Sequence, residues 1–199
     1  MVDLGAGSGR LTAELARVAA RVVAVELDDA LARRLRGRWA NVEVIHGDAR
    51  EVELPLEPFR VVANLPFDGT NEILRHLLDD PRVPLVRADL VVEWGVAVKR
   101  ALPWPSTVNG VVWGAWYEIR VARRLPRRAF QPPPSVDAAV VVFERRSQPL
   151  VPPQRFAAYR RFVASGFRRG HRARERDPYE WAARFTAAGR PSGSRRPSA

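Results

Sequence analysis

Short apolar segments alternate with stretches of helical periodicity through the first half of the chain. Five apolar segments of strand length lie at residues 1–4, 21–25, 42–45, 59–63 and 88–94. Between the first two, apolar side chains recur at helical spacing at Leu11, Leu15 and Val18. Strands that alternate with helices are typical of a parallel sheet covered on both faces, so we predict an α/β fold with a doubly wound sheet.

The second half of the chain adds a different pattern. Helices are predicted at residues 95–102 and 107–115, and strands at 117–122 and 136–144. A proline-rich loop joins the two strands, so they would form an antiparallel edge of the sheet. Pro132, Pro133 and Pro134 stiffen this loop and could hold Phe130 away from the body of the protein, although Phe130 could instead anchor a buried loop.

The composition changes after residue 146. A proline-containing linker is followed by residues 154–167, which place Phe156, Tyr159, Phe162 and Val163 on one helical face. We expect this amphipathic helix to pack on the catalytic domain. A second helix is predicted at 178–188, with no evident partner surface for its Trp181 and Phe185, and residues 189–199 are predicted to be disordered.

Three glycines, Gly5, Gly7 and Gly9, form a turn between the first strand and the first helix. Glycine has no Cβ and accepts positive φ, so such a turn lets the backbone approach a ligand closely. The spacing differs from the dinucleotide fingerprint, in which the third glycine lies three residues after the second. We therefore predict a nucleoside site beside this turn, without a pyrophosphate.

Acidic residues follow the next two strands. Glu26 lies about 20 residues beyond the glycines, where a carboxylate can accept hydrogen bonds from both ribose hydroxyls. Glu26 could instead be a helix N-terminal acid, and Asp28 or Asp29 could cap that helix while Glu26 binds ribose. Asp48 follows the third strand and could accept a hydrogen bond from an adenine amino group.

The fourth apolar run leads into Asn64, Leu65, Pro66 and Phe67. An amide oxygen and a nearby backbone carbonyl can accept both N–H bonds of one exocyclic amine, while Phe67 stacks on the nucleobase. The amine lone pair is then turned toward an electrophile without a strong base. Asn and Pro are also common in turns, so alone the segment would favour a simple strand-ending turn. The upstream motifs favour the nucleobase site.

The whole chain has a net charge of +11, and its positive charge is concentrated in the second half. Residues 1–99 contain 13 Lys and Arg against 16 Asp and Glu, and residues 100–199 contain 20 against 6. Arginine can grip phosphate in a bidentate manner, so we predict that a cluster before Phe130 contacts nucleic acid. Its members are Arg123, Arg124, Arg127 and Arg128. A solvated arginine-rich surface is the alternative.

Several classes of protein are disfavoured by composition. The chain has no cysteine, three scattered histidines and no uninterrupted apolar run of about 18 residues. We therefore expect no disulfide, no metal site, no membrane span and no secretory leader. A cytoplasmic monomer is expected.

With these motifs on one chain, the sequence resembles the S-adenosylmethionine-dependent rRNA adenine-N6 methyltransferases, and within them the Erm-type enzymes of actinobacteria. The likeness rests on residues 3–9, 25–28, 46–49, 64–67 and 130–137, with a further similar stretch at 94–110. It implies a Rossmann-like methyltransferase sheet that transfers methyl from S-adenosyl-L-methionine to the N6 amine of an adenine in 23S rRNA. It also implies resistance to macrolides, lincosamides and streptogramin B, with no metal.

The resemblance further assigns roles to individual residues. The catalytic segment would be Asn64, Leu65, Pro66 and Phe67, and Phe67 and Phe130 would sandwich the target adenine. The cofactor would be bound by Asp3, Gly5, Gly7, Glu26, Leu27, Asp48, Ala49 and Asn64. Residues 1–146 would be the catalytic domain, 147–188 a small helical appendage that contacts RNA, and 189–199 a tail.

Two departures from the family are expected to matter. Relatives carry a segment before the first strand that closes over the cofactor, whereas this chain begins at Met1 within that strand, and the C-terminal helical domain looks reduced. A truncated, non-catalytic RNA-binding relative is therefore one alternative. A DNA adenine methyltransferase and a small-molecule methyltransferase are the others, but the arginine-rich second half and residues 130–137 favour RNA.

Overall fold

The computed structural model describes residues 1–101, 105–170 and 176–189. One sheet contains seven strands, β1 Val2–Leu4, β2 Val22–Glu26, β3 Val42–His46, β4 Phe59–Asn64, β5 Leu85–Glu93, β6 Tyr117–Leu125 and β7 Ala138–Arg145. Their order is β3-β2-β1-β4-β5-β7-β6. Neighbours from β3 to β5 are parallel, and β7 is antiparallel to β5 and to β6. The predicted doubly wound sheet with an antiparallel edge is confirmed.

The described helices are α1 Arg10–Val18, α2 Asp29–Leu35, α3 Thr70–Leu78, α4 Trp94–Ala101, α5 Val108–Gly114, α6 Phe156–Arg168 and α7 Pro178–Ala188. None of them combines the length and the apolarity that a membrane crossing requires. Residue 102 of the helix predicted at 95–102, and residues 190–199 of the predicted tail, lie outside the described residues.

The structure differs from the sequence pattern at three places. The spacing predicts Val18 on the apolar face of α1, but Val18 is 76% exposed because the helix ends there and the backbone becomes extended at Ala19. Helix α3 was not predicted individually, although Ile73, Leu74 and Leu77 are buried at helical spacing. The strand expected to reach Trp94 ends at Glu93, and Trp94 begins α4 instead.

Helices pack on both faces of the sheet. In β2, Ala24 belongs to a small hydrophobic core with Leu35 of α2. The next residue, Val25, belongs to the large core that also contains Leu74 of α3. Because successive strand residues point to opposite faces, α2 covers one face of the sheet and α3 the other.

The two C-terminal helices share the large core with the sheet. The Tyr159 ring of α6 lies 5.9 Å from that of Trp116 and 5.2 Å from that of Phe185 in α7, in edge-to-face geometry. Gly166 lets α7 approach closely, since a Cβ there would lie 2.3 Å from the indole of Trp181. The expected packing of α6 is confirmed, and α6 itself supplies the partner surface for the aromatic side chains of α7.

Candidate functional site

The carboxyl ends of the parallel strands β1 to β4 meet at a cavity of about 450 Å³. Open α/β sheets bind ligands at this edge, and the volume lies within the range of small-molecule sites. The lining combines acidic and amide side chains with apolar surface and consists of Gly5, Val25, Glu26, Leu27, Gly47, Asp48, Ala49, Arg50, Asn64, Leu65, Pro66, Asp68 and Ile73. Most of the residues assigned from sequence to the cofactor and to catalysis therefore come together. Across the described residues, no group of three or more His, Asp or Glu side chains forms a potential metal site.

The glycine turn owes its shape to left-handed backbone. Gly5, Gly7 and Gly9 have φ of 76°, 55° and 81°, a region that residues with a Cβ rarely adopt. A Cβ on Gly9 would lie 2.4 Å from Leu35 Cδ2, so this glycine lets the turn pack on α2. A Cβ on Gly5 would lie 3.5 Å from Pro66 Cδ, so the turn also lies against the segment that follows β4.

Glu26 joins the end of β2 to the glycine turn. Its carboxylate accepts hydrogen bonds from the backbone N–H of Gly7 at 2.6 Å and of Asp28 at 2.8 Å, and Glu26 is buried. Each carboxylate oxygen has a second acceptor position, so Glu26 can still accept hydrogen bonds from a ligand in the cavity. Asp28 caps α2 by accepting from the Leu31 N–H at 2.9 Å, so the cap and the cavity carboxylate lie side by side.

Asp48 is held by Arg50, a residue for which the sequence patterns predict no role. Asp48 Oδ1 accepts from the backbone N–H and Nε of Arg50 at 2.8 and 3.0 Å, and Oδ2 accepts from Nε and Nη2 at 2.9 and 2.5 Å. The hydrogen bonds from the Arg50 guanidinium hold the pKa of Asp48 below its usual range. The carboxylate expected to accept an adenine amino group is therefore already paired with a guanidinium in the cavity wall. The spacing Asp-x-Arg is the only sequence signal of this pair.

Asp3 lies beneath the glycine turn and outside the cavity lining. It is 1% exposed, and its Oδ2 accepts the Thr12 hydroxyl at 2.7 Å. Burial raises the pKa of Asp3 to about 6, and the nearby Glu26 carboxylate adds to this rise while the Thr12 hydrogen bond opposes it. Asp3 therefore joins β1 to α1 below the turn.

The segment after β4 is a fixed turn that presents Asn64. The side chain of Asn64 is exposed at the cavity wall. Leu65 is buried, and its N–H donates to the Val91 carbonyl of β5 at 3.1 Å. The Pro66 carbonyl accepts the hydroxyl of Thr70, the buried first residue of α3, at 2.6 Å. No sequence pattern predicts a role for Thr70. Phe67 is half-buried and is not part of the cavity lining.

Phe130 lies between β6 and β7 and lines a separate open groove. The groove residues are Arg127, Arg128, Ala129, Phe130, Gln131, Pro133, Pro134 and Ser135. Two of the four predicted phosphate-binding arginines therefore lie beside Phe130. Arg123 is exposed on β6, whereas Arg124 forms an ion pair with Asp137 at 2.8 Å. The groove does not share lining residues with the cavity that contains Asn64.

The strand order and the cavity at the carboxyl ends of the strands define a Rossmann-like methyltransferase fold. Residues 1–174 match the family model of the ribosomal RNA adenine dimethylases. The chain belongs to that family. The resemblance to Erm-type rRNA adenine methyltransferases is thus confirmed at the level of family.

Individual relatives agree with this assignment. The mycinamicin-resistance protein MyrB of Micromonospora griseorubida is 37% identical over 164 residues, which cover 82% of this chain and 52% of the relative. Ribosomal RNA small subunit methyltransferase A of Leifsonia xyli is 41% identical over 160 residues, which cover 74% and 56%. The crystal structure of the 23S rRNA methyltransferase ErmE superposes with a TM-score of 0.77 at 27% identity and covers 93% of this chain and 88% of that chain. The chain spans between about half and two thirds of the length of the curated relatives it matches.

Proposed function

We propose that this chain carries the methyl-transfer site of an rRNA adenine-N6 methyltransferase that acts on an adenine of 23S rRNA and confers resistance to macrolides, lincosamides and streptogramin B. The observation that carries the proposal is the exposed Asn64 amide, fixed at the wall of the cavity that Gly5 and Glu26 line. Family membership supports an rRNA adenine as substrate. ErmE supports the large-subunit rRNA, and MyrB supports a role in antibiotic resistance. An rRNA substrate would place the protein in the cytoplasm.

The cavity residues fit S-adenosyl-L-methionine as cofactor. Glu26 has acceptor positions for the two ribose hydroxyls, and Gly5 leaves the backbone open to close approach by a ligand. Leu27 is 61% exposed and offers apolar surface for a nucleobase at the cavity rim. When bound, S-adenosyl-L-methionine supplies a methyl group that its sulfonium already activates, so the protein has to align the reactants rather than activate them.

The turn after β4 is suited to this alignment. Asn64 would accept one N–H of the target amine through Oδ1, and a backbone carbonyl of the same turn would accept the other, so the nitrogen lone pair points away from the turn. Two hydrogen bonds hold the turn in place: the Leu65 N–H donates to β5, and the Pro66 carbonyl accepts the Thr70 hydroxyl. Orientation of this kind can lower a reaction barrier by roughly 7–11 kcal/mol in favourable cases.

Contacts with the base and its neighbours would come from other residues. Phe67 would stack on the target adenine, an interaction of about 1–3 kcal/mol. Phe130 would provide a second apolar face, and Arg127 and Arg128 beside it would contact phosphate. The affinity for RNA should therefore fall steeply with salt.

The experiment that tests the proposal is methyl transfer from radiolabelled S-adenosylmethionine to unmodified 23S rRNA, with the site mapped by primer extension. Asn64→Ala should abolish the label, while calorimetry should still detect S-adenosylhomocysteine bound through the other cavity residues, Gly5 and Glu26 among them. The matched control is Arg120→Ala, which changes an exposed residue of β6 and should leave the label unchanged. Full activity of Asn64→Ala would refute the role of Asn64. Cofactor binding without any label by the parent would identify a non-catalytic relative.

A small-subunit rRNA is a second candidate substrate. It is favoured by the 41% identity to the small subunit methyltransferase of Leifsonia xyli. Offering unmodified small-subunit rRNA in the same assay decides between the two, because label confined to it would exclude the 23S assignment.

A further inference from the structure

We propose that Asp137 is a positioning residue that locks the loop carrying Phe130, and that Arg124 belongs to this lock rather than to the phosphate-binding set. The loop is residues 126–136, between β6 and β7. The inference rests on the proposed function only in treating Phe130 as an RNA contact. The lock, which consists of the hydrogen bonds of Asp137 with Arg124 and Arg127, is a property of the folded chain and can be measured without RNA.

The first observation is the use of both oxygens of one carboxylate. Asp137 lies at the end of the loop, just before β7. Its Oδ1 accepts the backbone N–H of Arg127 at 2.9 Å, and its Oδ2 accepts Nη2 and Nε of Arg124 at 2.8 and 3.1 Å. Charge-assisted hydrogen bonds of this kind are about twice as strong as neutral ones. Asp137 therefore ties the end of the loop both to its beginning and to the end of β6.

The second observation is a continuous path of hydrogen bonds from Asp137 to Phe130. Residues Arg127–Ala129 form a single 3₁₀ turn. Within it, the Ala129 N–H donates to the Pro126 carbonyl at 2.8 Å, and the Phe130 N–H donates to the Arg127 carbonyl at 3.2 Å. Arg127 is thus held by Asp137 through its N–H and holds Phe130 through its carbonyl. The orientation of the Phe130 backbone depends on the carboxylate two hydrogen bonds away.

The third observation is the environment of the Arg124 guanidinium. Its central carbon lies 4.7 Å from the centroid of the Trp94 ring, within the range of a cation–π contact. The backbone N–H of Trp94 donates to the backbone carbonyl of Asp137 at 2.9 Å. Arg124 is therefore held by a carboxylate and by an aromatic face that is itself tied to Asp137. Arg127 and Arg128 line the groove with Phe130, but Arg124 does not.

The consequence for RNA binding is pre-organisation. A loop that is already ordered does not have to be ordered by the ligand, which would otherwise lower affinity. Breaking the lock should weaken RNA binding without touching the cavity that holds the cofactor. A phosphate ligand would instead act through its charge, so the salt dependence of RNA binding separates the two roles.

The lock is tested directly by hydrogen exchange with mass spectrometry on the 199-residue protein without RNA. Asp137→Ala should speed the exchange of the amides of Arg127, Ala129 and Phe130 roughly tenfold or more, because their hydrogen bonds depend on the carboxylate. Arg124→Met should give a smaller increase, since the Arg127 N–H keeps its acceptor. The control Arg120→Ala removes an exposed arginine from the same strand and should leave the exchange unchanged. Unchanged exchange in a folded Asp137→Ala protein would overturn the proposal.

Asp137→Asn provides a second variant for the case in which Asp137→Ala does not fold. Asparagine keeps an oxygen for the Arg127 N–H but loses the charge that pairs with Arg124. Exchange at residues 127–130 should then match that of Arg124→Met. If Asp137→Asn exchanges as slowly as the parent protein, the Arg124 half of the lock is wrong.

The positioning role is separated from phosphate binding by measuring rRNA affinity against salt. Arg127→Ala should reduce the slope of log K against log salt by about 1, as expected for the loss of one phosphate contact. Arg124→Met should weaken binding with the slope unchanged and with the affinity for S-adenosylhomocysteine unchanged. A reduced slope for Arg124→Met would make Arg124 a phosphate ligand and refute its positioning role. If the parent shows no methyl transfer yet Asp137→Ala loosens the loop, the proposed function fails and the lock stands.

Discussion

Replacing Asp3 with asparagine should change how the stability of the protein depends on pH. Asp3 is 1% exposed, and burial raises its pKa from 3.8 to about 6. A carboxyl with a raised pKa in the folded state favours folding only while it is protonated. Its favourable contribution is therefore complete below pH 3.8 and is lost as the pH rises through about 6. Asparagine cannot ionise and keeps an oxygen that can accept the Thr12 hydroxyl.

The size of the effect follows from the shift. A shift of roughly two pKa units corresponds to about 3 kcal/mol, and about 2 kcal/mol of this falls between pH 4 and pH 7. Over that interval, the free energy of unfolding of Asp3→Asn should rise by this amount relative to that of the parent protein. The comparison cancels the pH dependence of the carboxyl groups that do not interact with Asp3.

The assay is urea unfolding followed by tryptophan fluorescence at pH 4, 5, 6 and 7. Thr12→Val should steepen the loss of stability with pH, because it removes the hydrogen bond that opposes the pKa rise of Asp3. Thr12→Ser keeps the hydroxyl and should follow the parent. A constant difference between Asp3→Asn and the parent at all four pH values would refute the argument that burial disfavours the Asp3 carboxylate.

Two further predictions concern packing and the cofactor cavity. Gly166→Ala should destabilise the protein by about 1–3 kcal/mol in urea unfolding, because its Cβ would overlap the Trp181 indole. Gly95→Ala is the matched control, since a Cβ there meets no atom within 4 Å and alanine favours a helix by up to about 1 kcal/mol; destabilisation of both would contradict the packing argument. Arg50→Met should tighten binding of S-adenosylhomocysteine by roughly 3- to 10-fold in calorimetry, because it frees the Asp48 carboxylate. Weaker binding would mean that Arg50 orients Asp48 instead of blocking it.

The parts of the site that could be predicted from sequence are those set by chain-local patterns. Glu26 and Asn64 directly follow an apolar run, Asp48 lies three residues after the end of another, and the ends of parallel strands meet at one edge of a sheet. The glycine turn could also be predicted, because few residues other than glycine adopt a left-handed backbone conformation. These features place the cavity without any knowledge of long-range contacts.

The parts that could not be predicted depend on single side-chain contacts, whether the partners are near in the sequence or far apart. A single hydrogen-bonded pair leaves no periodic pattern in the sequence. This applies to Arg50 with Asp48, Thr70 with the Pro66 carbonyl, and Arg124 with Asp137. The relation of Phe130 to the cavity depends on the conformation of its loop, which local propensity does not specify. Charge alone predicts that Arg124 contacts RNA, whereas in the structure it is paired with Asp137.

The close approach of Gly5 to Pro66 has a consequence for how ligands would bind. The two turns that would receive the methyl donor and the target base are neighbours, since a Cβ on Gly5 would lie 3.5 Å from Pro66 Cδ. We expect a displacement of one turn on binding to shift the other. By thermodynamic reciprocity, the donor must alter the affinity for RNA by the same factor as RNA alters the affinity for the donor.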